Sequence, residues 1–311
     1  MSARSGVSPF PPARDAGLSE VAIPGVTPWL RGKVRAVFAL GERLVLVATD
    51  RLSAYDAVLP TPIPDKGRVL TALSRHWFTT LEAATPHHLI STDLADFPEP
   101  FRSRPELAGR SMLCRRAERI DVECIVRGHL TGSGYREYRA HGTLHGVPLP
   151  AGLADGAALT PPSFTPTTKA EEGHDLPLTR AELAGQIGPA RAQELESRSL
   201  ALYEEAHARA LEAGLILADT KFEFGLVDGR VTLIDELLSP YSSRYWDRAA
   251  FDEGRLVSFD KQFVRDYLDA SGWNHEPPAP PLPPEVIAAT RERYLEAARR
   301  LLGVAAETLW R

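Results

Sequence analysis

Cysteine is almost missing: Cys114 and Cys124 are the only two in 311 residues. Two thiols cannot staple a chain of this size and their spacing matches no zinc motif, so neither a disulfide framework nor a zinc site is expected. A reducing cytoplasm fits, with both thiols as buried bystanders. No apolar run is long enough to span a bilayer, and residues 1–28, rich in Pro, Ala, Ser and Gly, lack the apolar segment of a secretory signal. Basic charge is not in excess either. The net charge of −5 gives no global field for nucleic acid, so an anionic ligand must be held by a local cluster. Tyr and Trp are scattered rather than interleaved with a basic stripe, which argues against single-strand nucleic-acid binding. There is no P-loop, no GxGxxG pattern and no internal repeat. Nine histidines show no helical metal-ligand pairing, and His87, His88, His141 and His145 are expected on the surface or in loops.

The composition that is present, 43% hydrophobic and 25% charged, is that of an ordinary globular protein. A chain of this length buries roughly 75% of its unfolded surface, enough for one large or two coupled domains. The first two dozen residues read as a loose arm. Lys33–Leu40 and Arg43–Thr49, joined at Gly41-Glu42, predict a β-hairpin opening a mixed sheet. Leu70, Leu73, Trp77 and Leu81 share one face of a helix over Val69–Leu81. An apolar strand Val122–Arg127 leads through Gly128–Gly134 into Tyr135–His141. Gly142–Pro177 reads as a long Pro-rich surface loop, with Thr167-Thr168-Lys169 at its middle. Thr179 to Glu182 has the pattern of a capping box. A stronger helix spans Arg191–Ala213 and stops at Gly214. After a linker at Glu276–Pro284, a final helix Glu285–Leu302 turns Tyr294, Leu295, Ala298 and Leu302 inward.

Chemistry concentrates in Leu215–Ser243. An apolar run leads to Asp219, Lys221 and Glu223, after which Asp228-Gly229 reads as a hairpin turn that returns Asp235 towards them. Two or three carboxylates at a strand end suit Mg²⁺, which binds through a few carboxylates plus waters and phosphate oxygens. Lys221 between them would neutralise a phosphate oxygen. Solvent-facing charges on an ordinary hairpin give the same alternation, so spacing alone leaves both readings open. The segment Arg31-Gly32-Lys33-Val34-Arg35 offers a Gly at which backbone amides can approach phosphate, with Lys33 and Arg35 as cationic donors on one face. Solvated surface charges would look the same.

Resemblance separates these alternatives. Ala218-Asp-Thr-Lys-Phe-Glu-Phe-Gly225 and Asp121-Val-Glu-Cys-Ile-Val-Arg-Gly-His-Leu-Thr-Gly-Ser133 resemble the two signatures of the SAICAR synthetases, the phosphoribosylaminoimidazole-succinocarboxamide synthases of purine biosynthesis. Arg31–Arg35, Ala48–Asp56, Phe164–Glu171 and Ser239–Trp246 are similar to further family segments, extending the likeness over about residues 28 to 270. The resemblance implies an α+β fold of two lobes with an ATP cleft, distantly kinase-like. Residues 1–27 would be the arm, 28–114 a β-rich lobe covering the nucleotide, and 115–311 a larger lobe carrying the metal and substrate sites.

The implied activity is ATP-dependent ligation of CAIR, the carboxyaminoimidazole ribotide, with L-aspartate, releasing ADP and phosphate. Both substrates are small molecules; no nucleic acid or membrane is implied, and nothing in the sequence reports an oligomeric interface. Gly32, Lys33, Arg35, Lys221 and Glu223 are implied at ATP, Glu223 and Asp235 at Mg²⁺, and Asp219, Lys221 and Arg244 in catalysis. Asp50, Ser53, Asp56, Arg127, Ser133, Lys169, Asp175 and Arg244 are implied at the substrate. Arg127 with the Thr131-Gly132-Ser133 turn would cradle the ribotide phosphate. Three departures from the family pattern stand out: Ala36 and Tyr241, where relatives are commonly acidic, and the short Lys169–Asp175 segment, in which His174 and Asp175 are expected to keep their places. A phosphotransferase of the same design and a non-catalytic relative are the rival readings.

Overall fold

The computed structural model describes residues 13, 15–55, 57–81, 85–169 and 175–305. Asp56 and His174 lie outside the described residues. In chain order the elements begin with β1 (Leu30–Arg31), β2 (Arg35–Leu40), β3 (Arg43–Ala48), β4 (Ser53–Ala54), β5 (Ala57–Val58) and α1 (Lys66–Thr80). They continue with β6 (Leu89–Ser91), β7 (Ser111–Arg115), β8 (Glu118–Leu130), α2 (Gly132–His141), β9 (Thr143–Leu144) and β10 (Val147–Pro148). Next come β11 (Ala157–Phe164), β12 (Thr167–Thr168), α3 (Arg180–Ile187), α4 (Pro189–Glu212), β13 (Leu215–Val227) and β14 (Arg230–Ile234). The last are β15 (Ser243–Asp247), α5 (Arg248–Asp252), α6 (Gln262–Ala270) and α7 (Pro284–Leu302). The fold is α+β.

Two compact units are formed, one from residues 1–73, 90–114 and 258–311, the other from 74–89 and 115–257. In the first, a five-stranded sheet runs β1-β2-β3-β7-β6. The β2–β3 hairpin turns at Gly41, whose φ of 60° suits glycine. Its inward residues Ala36, Phe38, Val45 and Val47 pack with Phe97, Phe101, Leu107 and Leu113. Val21 and Ile23 join the same cluster. The arm is therefore not loose where it is described, because its apolar side chains find the back of the sheet. Ala36 is 2% exposed there, so an acid at that position would be buried within this apolar cluster.

The C-terminal segment belongs to this first unit, not to the larger lobe with which the sequence groups it. Val264 and Leu268 of α6 and Val286 of α7 pack on Leu52, Ala54, Ala57, Leu59 and Ile63. Arg291 of α7 donates two hydrogen bonds to Asp65, of 3.0 and 2.6 Å, and Arg68 adds a third at 3.1 Å. Apolar burial and charge both fasten the helix. Tyr294, Leu295 and Ala298 face inward as expected, with Leu301 taking the buried place expected for Leu302.

The second unit is built on a sheet ordered β11-β8-β13-β14, with β12 pairing β8 and β15 pairing β13. Asp228 and Gly229, both at positive φ, close the β13–β14 hairpin as the Asp-Gly pair predicts. Alternation along β8 and β13 sends Cys124, Val126, Phe222 and Phe224 to one face, all fully buried. Against this sheet α4 packs Leu195, Leu202, Tyr203, Ala206 and Ala210, and the Tyr203 hydroxyl donates to the Leu217 carbonyl at 2.6 Å. The Thr179 capping box forms and starts α3. The Gly142–Pro177 stretch is not an unstructured loop: it supplies β9 to β12, of which β11 pairs β8 across a register shift between Ala158 and Ser163.

Histidine burial gives this unit a pH response. His76, His129 and His145 are held below the usual 6.5 by burial first, with Arg209 and Arg75 reinforcing it at His76 and Glu137 opposing it at His145. The unfolded chain therefore binds more protons than the folded one as pH falls through 6.5, so stability must fall in that direction. The carboxylates held low, such as Glu137 and Glu182, add their loss only below their usual 4.5. Urea midpoints at pH 7.5 and 5.5 are expected to differ, the acid one being lower; equal midpoints would contradict the burial of these rings. His88, placed by sequence at the surface, is 2% exposed.

Candidate active site

The face of the second sheet away from α4 carries the charges. Antiparallel register sets Arg127 opposite Asp219, Ile125 opposite Lys221 and Glu123 opposite Glu223 between β8 and β13. On the other side of β13, Arg244 of β15 pairs Asp219 and Ile234 of β14 pairs Glu223. Alternate residues of a strand share a face, so Glu123, Arg127, Asp219, Lys221 and Glu223 project together. These side chains are buried or half-buried, an environment in which each charge must be answered.

The answers form two clusters. In the first, the Asp219 carboxylate accepts from Arg127 Nη1 at 3.1 Å and from Arg244 Nη1. Arg127 also donates from Nε to Thr165 Oγ1 at 3.1 Å and from Nη2 to Ser133 Oγ at 3.2 Å. Burial first, then the neighbouring Arg244 charge, pull the Arg127 guanidinium below its usual range, while Asp219 opposes both. Two guanidiniums, one carboxylate and an exposed hydroxyl at the start of α2 leave a net positive pocket, suited to an oxyanion with more than one negative charge.

In the second cluster, Lys221 Nζ donates to Glu123 Oε1 at 2.6 Å and Lys169 donates to Glu223. Burial works against the Lys221 ammonium, yet Glu123 and Glu223 beside it hold its pKa above the usual 10.5. Glu123 is pushed up by burial, with Lys221 pulling it back. Asp235 follows β14 at a φ of 64°, and its carbonyl lies 3.1 Å from His88 Nε2. Asp235 also acts electrostatically on Lys221, and Asp175 on Glu123.

The structure thus gathers Asp219, Lys221, Glu223, Arg127, Arg244, Ser133 and Lys169 on one face, with Asp175 and Asp235 bearing on it. It divides them differently from the sequence expectation. Asp219 joins the guanidiniums rather than the carboxylates of Glu223 and Asp235, and among the described residues no three His, Cys, Asp or Glu converge on a metal position. Glu123, Thr165 and His88 were not singled out as site residues by the sequence. Glu123 had a visible signal, a lone acid in an apolar strand.

In the first unit, Gly32 N donates to the Arg35 carbonyl at 2.9 Å, and Arg51 Nη2 donates to the Gly32 carbonyl at 2.9 Å. Lys33 is exposed in the bend and Arg35 half-buried on β2, so the two do not share one strand face. Ser53 is buried on β4. Asp50 is fully buried: its carboxylate accepts from Gly67 N at 2.7 Å, Leu18 N at 2.6 Å and Arg110 Nη1 at 2.7 Å. Its place is inside the unit, capping the start of α1, and it presents no atom to a ligand.

An α+β fold with a sheet face of paired lysines, arginines and carboxylates defines an enzyme that handles anions. A profile of the SAICAR synthetase family matches residues 28–280. The phosphoribosylaminoimidazole-succinocarboxamide synthase of Syntrophobacter fumaroxidans is 48% identical over 287 residues, covering 91% of this chain and 95% of that protein. Its counterpart in Desulfosudis oleivorans is 49% identical over 283 residues, covering 90% and 97%. Among solved structures, the SAICAR synthase of Saccharomyces cerevisiae complexed with SAICAR superposes with a TM-score of 0.83 at 35% identity, covering 92% of this chain and 98% of that one. A type-2 SAICAR synthetase in complex with ADP shares the fold at a TM-score of 0.67 and 22% identity, over 89% and 98%. The chain belongs to the SAICAR synthetase family. Its activity is that of a phosphoribosylaminoimidazole-succinocarboxamide synthase, a ligase of purine biosynthesis.

Proposed function

We propose that the enzyme joins CAIR and L-aspartate at the expense of ATP. The observation that carries this is the division of the charged face into a guanidinium pocket and a lysine–carboxylate pocket. Arg127, Arg244 and Ser133 take the ribotide phosphate; that a yeast relative is complexed with SAICAR supports a ligand of this class. Lys221 steadies the transferring phosphoryl group, whose charge must be spread for a loose transition state to form. Transfer of that group to the CAIR carboxylate makes a competent electrophile and frees ADP. The aspartate amine then forms the amide bond, losing a proton as phosphate leaves. Asp219 orients this region by holding both guanidiniums, and Lys169 and Asp175 complete the substrate contacts.

Within the second unit, ATP phosphates are assigned to Lys221 and Glu223; the ADP bound by a relative of the same fold supports nucleotide use. Mg²⁺ fits Glu223 and Asp235, since both offer hard oxygens and the ammonium on Glu223 marks a position suited to a cation. When bound it would offset charge on the phosphate oxygens. A cytoplasmic setting agrees with two free, buried cysteines and with a biosynthetic family; among the described residues no helix is long and apolar enough to cross a membrane.

The test is phosphate release by purified protein given ATP, Mg²⁺, CAIR and L-aspartate, with each omitted in turn. Release with succinocarboxamide formation only when all four are present supports the ligase; release without aspartate points to a phosphotransferase or to uncoupled hydrolysis. Asp235→Asn is expected to abolish metal-dependent turnover while the circular dichroism spectrum stays that of the parent. Unaltered activity in the folded variant would remove Asp235 from the site.

A further inference from the structure

The β13–β15 register changes by one residue beside the guanidinium pocket. Leu217 lies opposite Tyr245 and Asp219 opposite Arg244, so β13 takes two steps where β15 takes one, and Ala218 is the extra residue of a β-bulge. Without it Arg244 would stand opposite Ala218, and Asp219 opposite Ser243. A one-residue slip of this kind carries a side chain to the other face of a sheet, so the bulge is what sets Arg244 on the face of Asp219 and Arg127. On the other edge of β13, the β8–β13 register ends at the Arg127–Asp219 pair.

The same place is held from behind by α4. Tyr203, 1% exposed, donates its hydroxyl to the Leu217 carbonyl at 2.6 Å, and His207 Nδ1, one turn on, donates to that carbonyl at 3.1 Å. The hydroxyl also interacts with the backbone of Gly128, the residue after Arg127. No side chain fits at Gly128, since a Cβ built there would lie 1.9 Å from the Tyr203 hydroxyl. One oxygen thus ties β8 to β13 next to the Arg127–Asp219 pair. A phenylalanine ring would fill the same space between helix and sheet, so what the hydroxyl adds is the link between the strands.

We propose that Tyr203, supported by His207, is a positioning residue for the ribotide phosphate: by anchoring the Leu217 carbonyl it fixes the bulge at Ala218, and with it the spacing of Arg127 and Arg244 about Asp219. It touches no substrate and acts through the backbone of β8 and β13. The proposal rests on the reading of the guanidinium pocket as the seat of that phosphate. Lys221 and Glu223 lie where β8 and β13 pair residue for residue, from Asp219 to Glu223, so loss of the anchor should be felt at the phosphate and not at the nucleotide.

Steady-state constants of the full chain separate this from a general part in folding. Y203F is expected to raise KM for CAIR about 10-fold, in line with the loss of one buried hydrogen bond, with KM for ATP within about 2-fold of the parent. H207L, at a half-buried position and with Tyr203 in place, should raise the same constant about 3-fold. R244Q is the reference, since it alters the pocket directly and should raise KM for CAIR by more than either. A parental KM for CAIR in Y203F and H207L, while R244Q raises it, overturns the proposal, as does a Y203F protein in which both constants rise alike. Should Y203F not fold, the H207L result decides. A parental KM for CAIR in R244Q would instead remove the phosphate reading of the pocket, and the proposal with it.

Discussion

Replacing Asp219 by asparagine is expected to cost about 3 kcal/mol or more of stability and to reduce kcat/KM by about 10²- to 10³-fold. The Asp219 carboxylate is the shared acceptor of Arg127 and Arg244, and the three side chains are 9%, 10% and 20% exposed. Asparagine preserves shape and one acceptor but removes the charge. Two guanidiniums would then face each other in a poorly solvated setting with no counter-ion. Breaking such a pair from one side costs more than the pair is worth, since the remaining charges stay buried and unmatched. Function suffers for a related reason: without the carboxylate the guanidiniums splay, and the oxyanion they are set to receive is met at the wrong distance. Inorganic phosphate gives a diagnostic. It should restore the melting temperature of the variant more than it raises that of the parent, by filling the place of the missing charge. Matching melting curves together with parental turnover would show that the Arg127–Asp219–Arg244 cluster has no part in either folding or catalysis.

How much of this was legible in the sequence depended on how local each signal was. The β2–β3 hairpin and α1 were readable because alternation, a Gly turn and a four-residue apolar stripe lie within a dozen residues of one another. The β13–β14 hairpin was readable for the same reason, its Asp-Gly turn fixing the register that returns Asp235. By contrast β11 was hidden by Pro161 and Pro162, which an edge strand with a register shift tolerates and a central strand does not. Glu123 carried a signal, an acid in an apolar strand, but nothing local placed it, since its partner Lys221 lies 98 residues on. Asp219 was grouped with Glu223 by spacing alone; the cross-strand neighbours that draw it to Arg127 and Arg244 come from other segments. The home of α7 was least accessible of all, for Arg291 and Asp65 are separated by 226 residues, and neither a Pro-rich linker nor an amphipathic stripe names its partner. Family likeness named candidate site residues, yet it could not foretell that Asp50 would be fully enclosed.

Gly132→Ala is expected to lower kcat/KM by about 10²-fold while removing only about 1–2 kcal/mol of stability. Gly132 opens α2 with a φ of 57°, a conformation that costs an L-residue about that much. A Cβ built there would lie 2.5 Å from Arg244 Nη2 and 2.8 Å from its Cζ. The obstacle is the end of a flexible side chain, so the protein would yield by moving Arg244 rather than by unfolding. That movement draws the guanidinium off Asp219 and out of the pocket it shares with Arg127 and Ser133. A control separates strain from displacement: Gly142, at the other end of α2, has a φ of 72° and nothing within 4 Å of a built Cβ. Gly142→Ala should therefore lose similar stability with turnover unchanged. Equal losses of turnover in both variants would mean that backbone strain in α2, not the position of Arg244, sets the rate. Parental activity in Gly132→Ala would mean that Arg244 can leave its place without consequence, and the guanidinium pocket would then have to rest on Arg127 alone.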